Sequence, residues 1–183
     1  MLGESPRDDG GFELVASADE VRRMDHAAIA DYGVEGVVLM ELAGAAAARA
    51  IRLRLGGLAA KAVVLCGAGN NGGDGYVVAR HLAMMGFAVK TLALAEPRPG
   101  TDAEKNRQIW QRLLDHDTTS ATPRHEHRLA ERGATARMRH FLGHANVIVD
   151  ALFGTGLARP LDGAALELVA MANEAQHGLK VAL

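Results

Sequence analysis

A polar opening stretch gives way to helical periodicity at Ser17-Ala-Asp-Glu20, whose spacing is that of a capping box. The pattern predicts a helix to about Asp31, with Val21, Met24, Ala28 and Ile29 on its apolar face and Gly33 as its stop. A second helix is predicted from about Gly36 to Leu55, ending at Gly56-Gly57. Its middle, Ala43 to Ala48, carries only small side chains, which lets another backbone approach closely and suggests a homodimer. From Lys61 the period changes. Ala62-Val-Val-Leu-Cys66 is a short, continuously apolar run rich in β-branched residues, the mark of a strand buried on both faces. Phe87 to Ala95 and Asn146-Val-Ile-Val-Asp-Ala-Leu152 read the same way, and Leu179 to Leu183 as a final strand.

Between them lie helical stretches at about 74–85, 101–116 and 162–176, the middle one with Ile109, Trp110, Leu113 and Leu114 as its apolar set. Residues 117–145 predict a short strand near Ser120 and one helix between about Glu126 and Leu142. Alternating strands and helices make a Rossmann-like three-layer α/β/α sandwich with a mostly parallel sheet, preceded by two N-terminal helices. The domain is expected over residues 15–183, after a flexible tail at 1–14.

Composition narrows the function classes. Twenty Lys and Arg against 22 Asp and Glu leave a net charge of -2, without the basic excess of a nucleic-acid binder. The single cysteine, Cys66, excludes an internal disulfide, reads as a buried small hydrophobe and fits a reducing compartment. No apolar run approaches the roughly 18 residues of a membrane span, so a cytoplasmic chain is expected, with no membrane and no nucleic-acid partner.

Two segments carry the chemistry. Gly67-Ala-Gly-Asn-Asn-Gly72 matches the G-x-G-x-x-G dinucleotide fingerprint between a strand and a helix, and Glu96 follows near the end of the next strand, where such enzymes keep a ribose-binding acid. The continuation Gly72-Gly-Asp-Gly75 makes a longer, more pliable loop than that fingerprint needs, and Asp74 is expected to set negative charge at the helix start, against a phosphate. A Walker A loop is excluded because no Lys-Ser/Thr pair follows. The second segment is Val149-Asp-Ala-Leu-Phe-Gly-Thr-Gly156. Asp150 closes an apolar strand with its carboxylate at the crevice, suited to holding a cation or to general-base work. Both segments fall on the carboxyl edge of the sheet.

Gly-Asn-Asn-Gly-Gly-Asp-Gly75 followed by Val78-Ala-Arg-His-Leu82, together with the Asp150 segment, closely resembles the YjeF N-terminal domain family. Met24-Asp-His-Ala-Ala-Ile29 and Val38-Leu-Met-Glu-Leu-Ala-Gly44 resemble its helical N-terminal signature, so the resemblance covers about residues 15–183. It implies an NAD(P)H-hydrate epimerase, which inverts carbon 6 of the hydrated nicotinamide ring of NADHX and NADPHX, working beside an NAD(P)H-hydrate dehydratase. By the same match Asn70, Asn71, Gly72, Gly73 and Asp74 line the dinucleotide, and Gly154, Thr155, Gly156, Leu157, Ala158, Arg159 and Pro160 form a second substrate loop. Asn71 and Asp150 are implied as ligands of a potassium ion; an amide oxygen and a carboxylate are hard donors suited to a hard cation. Asp150 and Asp74 are the candidate acid–base pair. The family continues past the last strand into an Asp-Ile-Pro-Ser-Gly-Leu-like segment, so a chain truncated at its C-terminal end is expected.

Two other classes remain open. YjeF N-terminal domains also serve as dimerising scaffold modules, including one in an enhancer of mRNA decapping. An ordinary NAD-dependent oxidoreductase would use Glu96 on the ribose and would need a substrate domain as well. Five of the eight histidines lie between His116 and His144, and His140 and His144 have helical metal-ligand spacing, but the polar surroundings favour a solvated surface. Met40, Met84 and Met85 are expected in the core, and Arg22, Arg23, Arg49, Arg52 and Arg54 on solvated helix faces.

Overall fold

The computed structural model describes residues 15–116, 125–128 and 134–183; the tail at 1–14 and the strand expected near Ser120 lie outside them. The chain forms two compact units, Met1–Gly36 and Val37–Leu183. In the first, α1 (Ala18–Ala30) starts at the expected capping box: Ser17 N donates to Glu20 Oε2 at 2.7 Å and Glu20 N to Ser17 Oγ at 3.3 Å. Val21, Met24 and Ile29 are exposed rather than buried, because the described residues of this unit hold no second element for the helix to pack on.

The second unit holds α2 (Gly36–Arg54, from Val37 on) and a five-stranded sheet of β1 (Lys61–Cys66), β2 (Ala88–Ala93), β3 (His125–Arg128), β4 (Val147–Ala151) and β5 (Leu179–Ala182). The order is β3-β2-β1-β4-β5, and every pair is parallel. The crossover helices are α3 (Asn70–Met84), α4 (Asp102–His116), α5 (Ala134–Gly143) and α6 (Gly163–Glu174). Strand alternation divides the apolar residues between two cores. Val64, Cys66, Val89, Val147 and Val149 meet Tyr76, Val78, Leu82 and Trp110 on one face. Val63, Leu65, Leu92 and Ile148 meet Met138, Leu142, Leu168 and Met171 on the other. The three-layer sandwich read from the sequence is the fold of this unit.

Three local expectations are corrected. Residues 126–128 belong to strand β3, not to a helix; His-Glu-His-Arg is polar, but an edge strand with one neighbour needs no continuous apolar run. Ile109 is 41% exposed and Met84 70% exposed, since each lies on the outer side of its helix. The small face of α2 is filled within the chain: a Cβ on Gly44 would lie 2.6 Å from Val77 Cβ, and Ala48 is fully buried. That face packs on α3, so its small side chains do not argue for a second copy.

Candidate functional site

Connections leave β1 toward β2 on one side and enter β4 on the other, so the crevice over the carboxyl ends of β1 and β4 is the topological switch point, where such sheets bind ligands. Here the two glycine segments meet. Gly67 N donates to Ala151 O at 3.0 Å, Leu94 N to Cys66 O at 2.9 Å, and Leu183 N to Asp150 O at 3.0 Å, tying the strand ends into one rim.

The first segment is not the pliable loop its glycines suggested. Helix α3 already begins at Asn70, with Gly69 as its N-cap, and none of Gly67, Gly69, Gly72, Gly73 and Gly75 has a positive φ. Close packing explains them. A Cβ on Gly67 would lie 1.9 Å from Leu152 O, one on Gly72 1.9 Å from Gly67 O, one on Gly73 2.9 Å from Ala103 Cα, and one on Gly75 2.7 Å from Ala151 Cβ. The helix start is pressed against both strand ends and against α4, which only glycine permits. Gly73 N closes the first helical bond on Gly69 O at 3.1 Å, so the amides of Asn70, Asn71 and Gly72 form the open end of α3. Asp74 lies beyond that first turn, which holds no acidic residue. Asp74 thus adds no carboxylate to the first turn itself, where the unbonded amides and the positive end of the helix favour an anion.

The second segment is open. Residues 153–160, with Gly154, Thr155, Gly156, Leu157, Ala158, Arg159 and Pro160, are all exposed. The two come together at Asn71: a Cβ on Gly154 would sit 3.5 Å from Asn71 Oδ1. The Asn71 side-chain nitrogen is buried there with no hydrogen-bond partner among the described residues. Asp150 is half-buried at the end of β4, and its Oδ1 accepts the Leu152 N–H at 3.0 Å. No described Lys, Arg or His forms an ion pair with it. It lines a cavity of about 200 Å³ with Asn173, Lys180 and Val181. No hydrogen bond joins Asn71 to Asp150. The site thus offers a clear helix N-terminus, an orphaned carboxamide and an unpaired carboxylate on one edge.

Residues 36–183 match the family described as YjeF-related protein N-terminus. The chain belongs to this family. It is 37% identical over 158 residues to the NAD(P)H-hydrate epimerase of Roseobacter litoralis, covering 81% of this chain and 67% of that protein. It is 40% identical over 159 residues to the bifunctional NAD(P)H-hydrate repair enzyme of Thermofilum pendens, covering 87% of this chain and 28% of that protein. The chain therefore spans between about a quarter and two thirds of the length of these relatives. The crystal structure of yeast ynu0 has the same fold, with a TM-score of 0.71 at 23% identity over 92% of this chain and 69% of that one.

Within the YjeF_N fold, the rim is braced by residues whose role the sequence did not disclose. Glu41 of α2 takes Arg80 Nη1 at 3.0 Å and Nη2 at 2.6 Å, and its Oε1 meets His81 Nε2 at 2.7 Å. Arg80 Nη2 also reaches Asn106 Oδ1 of α4 at 3.0 Å. The Arg80 guanidinium holds the Glu41 carboxyl well below the usual range, at about 2. This clamp fixes α3, and with it Asn71, between two helices. The signal was in the sequence, since Glu41 and Arg80-His81 fall inside the two family motifs, but nothing in their spacing paired them.

Glu96 has a different place from the one an oxidoreductase would require. Its carboxylate is held by Arg128 Nη1 at 2.7 Å and by Arg107 Nη2 at 3.5 Å, so a ribose diol would have to displace two guanidinium groups. Cys66 is fully buried, and burial pushes its thiol up, which suits packing and not reactivity. Among the described residues no group of three or more His, Cys, Asp or Glu is placed to hold a metal ion. No described helix is long and apolar enough to cross a membrane.

Proposed function

We propose that this chain is an NAD(P)H-hydrate epimerase that interconverts the R and S forms of NADHX and NADPHX. The observation that supports it most is the juxtaposition of the α3 N-terminus and Asn71 with the Gly154 loop at the switch point. The open amides of Asn70, Asn71 and Gly72, with Gly73 allowing the close approach of α4, receive the diphosphate. The loop from Gly154 to Pro160 folds over the hydrated nicotinamide end. The naming of relatives as epimerases and repair enzymes agrees with this reading.

Carbon 6 of the substrate bears a hydroxyl and the ring nitrogen, so it is a hemiaminal. A carboxylate takes the hydroxyl proton as the bond from carbon 6 to nitrogen breaks, and the nitrogen receives a proton. Rotation of the freed aldehyde and reclosure on its other face invert the centre and return both protons. Asp150 and Asp74 are the proposed pair, Asp150 because its unpaired carboxylate stands at the strand end.

Potassium fits the donor set. Asn71, through its amide oxygen beside Gly154, and Asp150 would hold it, because an amide oxygen is a hard donor and a half-buried carboxylate without a counter-ion among the described residues lacks what a hard cation gives. Bound there, the ion would supply positive charge opposite the diphosphate and the Asp150 carboxylate. A homodimer is proposed through the outer side of α2, where Val38, Leu42 and Leu53 are exposed, in place of the small face. The cytoplasm, and an NAD(P)H-hydrate dehydratase that consumes one epimer, complete the reading. A catalytically silent scaffold module is the alternative; the unpaired polar groups of the rim favour the enzyme.

NADHX enriched in one carbon-6 epimer, followed by NMR with catalytic amounts of the chain, tests this. Accelerated equilibration of the two epimers is expected, and an unchanged rate, with substrate binding intact, would make the domain a binding module instead.

A further inference from the structure

At the opposite, amino-terminal edge of the sheet, under the C-terminal end of α5, lies a second cavity of about 200 Å³. Its floor is aliphatic, from Val63 and its neighbours on β1 and β2, and Phe141 forms one wall. Every ionisable group on its lining is basic: Lys61, Lys90, His140 and His144. In a chain of net charge -2 this edge gathers two lysines and no lining carboxylate.

Lys90 is the informative residue. It is half-buried, its Nζ stands 4.4 Å from the centroid of the Phe141 ring, and it forms no ion pair with any described carboxylate. Burial lowers its pKa. A half-buried ammonium with a ring face and no described carboxylate beside it is suited to an anion. The helix end above it does not repel one strongly. His144 Nδ1 lies 2.8 Å from His140 O, and a carbonyl only accepts, so this nitrogen donates and covers one of the last carbonyls of α5. The His140 and His144 rings lie 4.3 Å apart at the mouth.

We propose that this pocket binds a small aromatic carboxylate, its ring on the aliphatic floor beside Phe141 and its carboxylate on the Lys90 ammonium. Size limits the ligand to a single ring, since pockets for drug-sized molecules span roughly 300–1,000 Å³. The apolar floor gives an inorganic anion nothing to replace its hydration. The site is on the far edge from Asn71 and Asp150 and does not depend on the epimerase reading.

The test is a titration of the 15N-labelled chain with benzoate, benzyl alcohol and inorganic phosphate, followed at the amides of Val63, Lys90, Phe141 and His144. Saturable shifts confined to this edge are expected with benzoate, with benzyl alcohol binding about tenfold more weakly or worse for lack of the charge. Lys90→Met is expected to abolish the difference between the two. Equal binding of benzyl alcohol, tighter binding of phosphate, or no saturable shift with benzoate would overturn the proposal. The wild-type comparison decides this even if the Lys90 variant does not fold.

Discussion

The two glycine segments of the rim look alike in sequence and are opposites in structure. Between Gly67 and Gly75 the glycines are buried apart from Gly69, and a Cβ at four of them would come within 3.0 Å of another atom. At Gly154 the nearest atom would be 3.5 Å away, and at Gly156 nothing lies within 4 Å. The first segment is therefore a fixed floor built by close packing, the second an exposed arm with room to adjust. One holds the amides proposed to bind the diphosphate; the other lies exposed along the rim.

The largest expected effect breaks the floor. Gly72→Ala forces a methyl group onto Gly67 O and is expected to cost about 3 kcal/mol or more, whereas Gly156→Ala stays within about 0.5 kcal/mol. Urea denaturation of both variants measures the contrast, and similar losses would erase it.

The clamp behind the floor gives a smaller, pH-dependent effect. Glu41 has a folded-state pKa of about 2 against an ordinary 4.5, held down chiefly by its hydrogen bonds to Arg80. A depressed carboxyl contributes stability above its unfolded pKa and loses it as the pH falls from about 4.5 to about 2. Its side chain is 38% exposed, so solvent screening reduces the contribution at neutral pH to about 1–2 kcal/mol. Glu41→Gln is expected to lose that amount at pH 7 and little at pH 2, giving a flatter acid-unfolding profile; a parallel offset at all pH values would show that the carboxylate charge is not responsible.

The smallest effect belongs to the arm. Arg159 is exposed and its charge screened, so Arg159→Ala is expected to raise KM about three- to tenfold with kcat nearly unchanged. A loss confined to kcat would place Arg159 in the chemistry instead.

This contrast also marks what the sequence made legible. Continuous β-branched runs announced β1 and β4, because a strand covered on both faces has no polar side to show. Ser17 and Glu20 announced the start of α1, since a capping box is a local device. Asp150 could be chosen from its residue type and its position at a strand end, whereas Asn71 came only with the resemblance to the family. The start of α3 was not legible: glycine signals conformational freedom in a sequence, and that these glycines serve close approach shows only when Leu152, Ala103 and Ala151 are seen beside them. Nor was the partner of the small α2 face, since Gly44 and Val77 are brought together by tertiary packing alone. Polar β3 fell at the start of a predicted helix and became a strand through pairing with β2.

Floor and arm are proposed to meet in one catalytic centre through Asn71 and Asp150. Epimerisation kcat/KM for the wild type, Asn71→Ala, Asp150→Asn and the double variant tests it most directly. Each single variant is expected to lose about a hundredfold or more without unfolding, and the double variant little beyond the worse single, because groups that act as a unit are not additive. Losses that multiply in the double variant would mean that the two residues act independently, and would contradict a single centre.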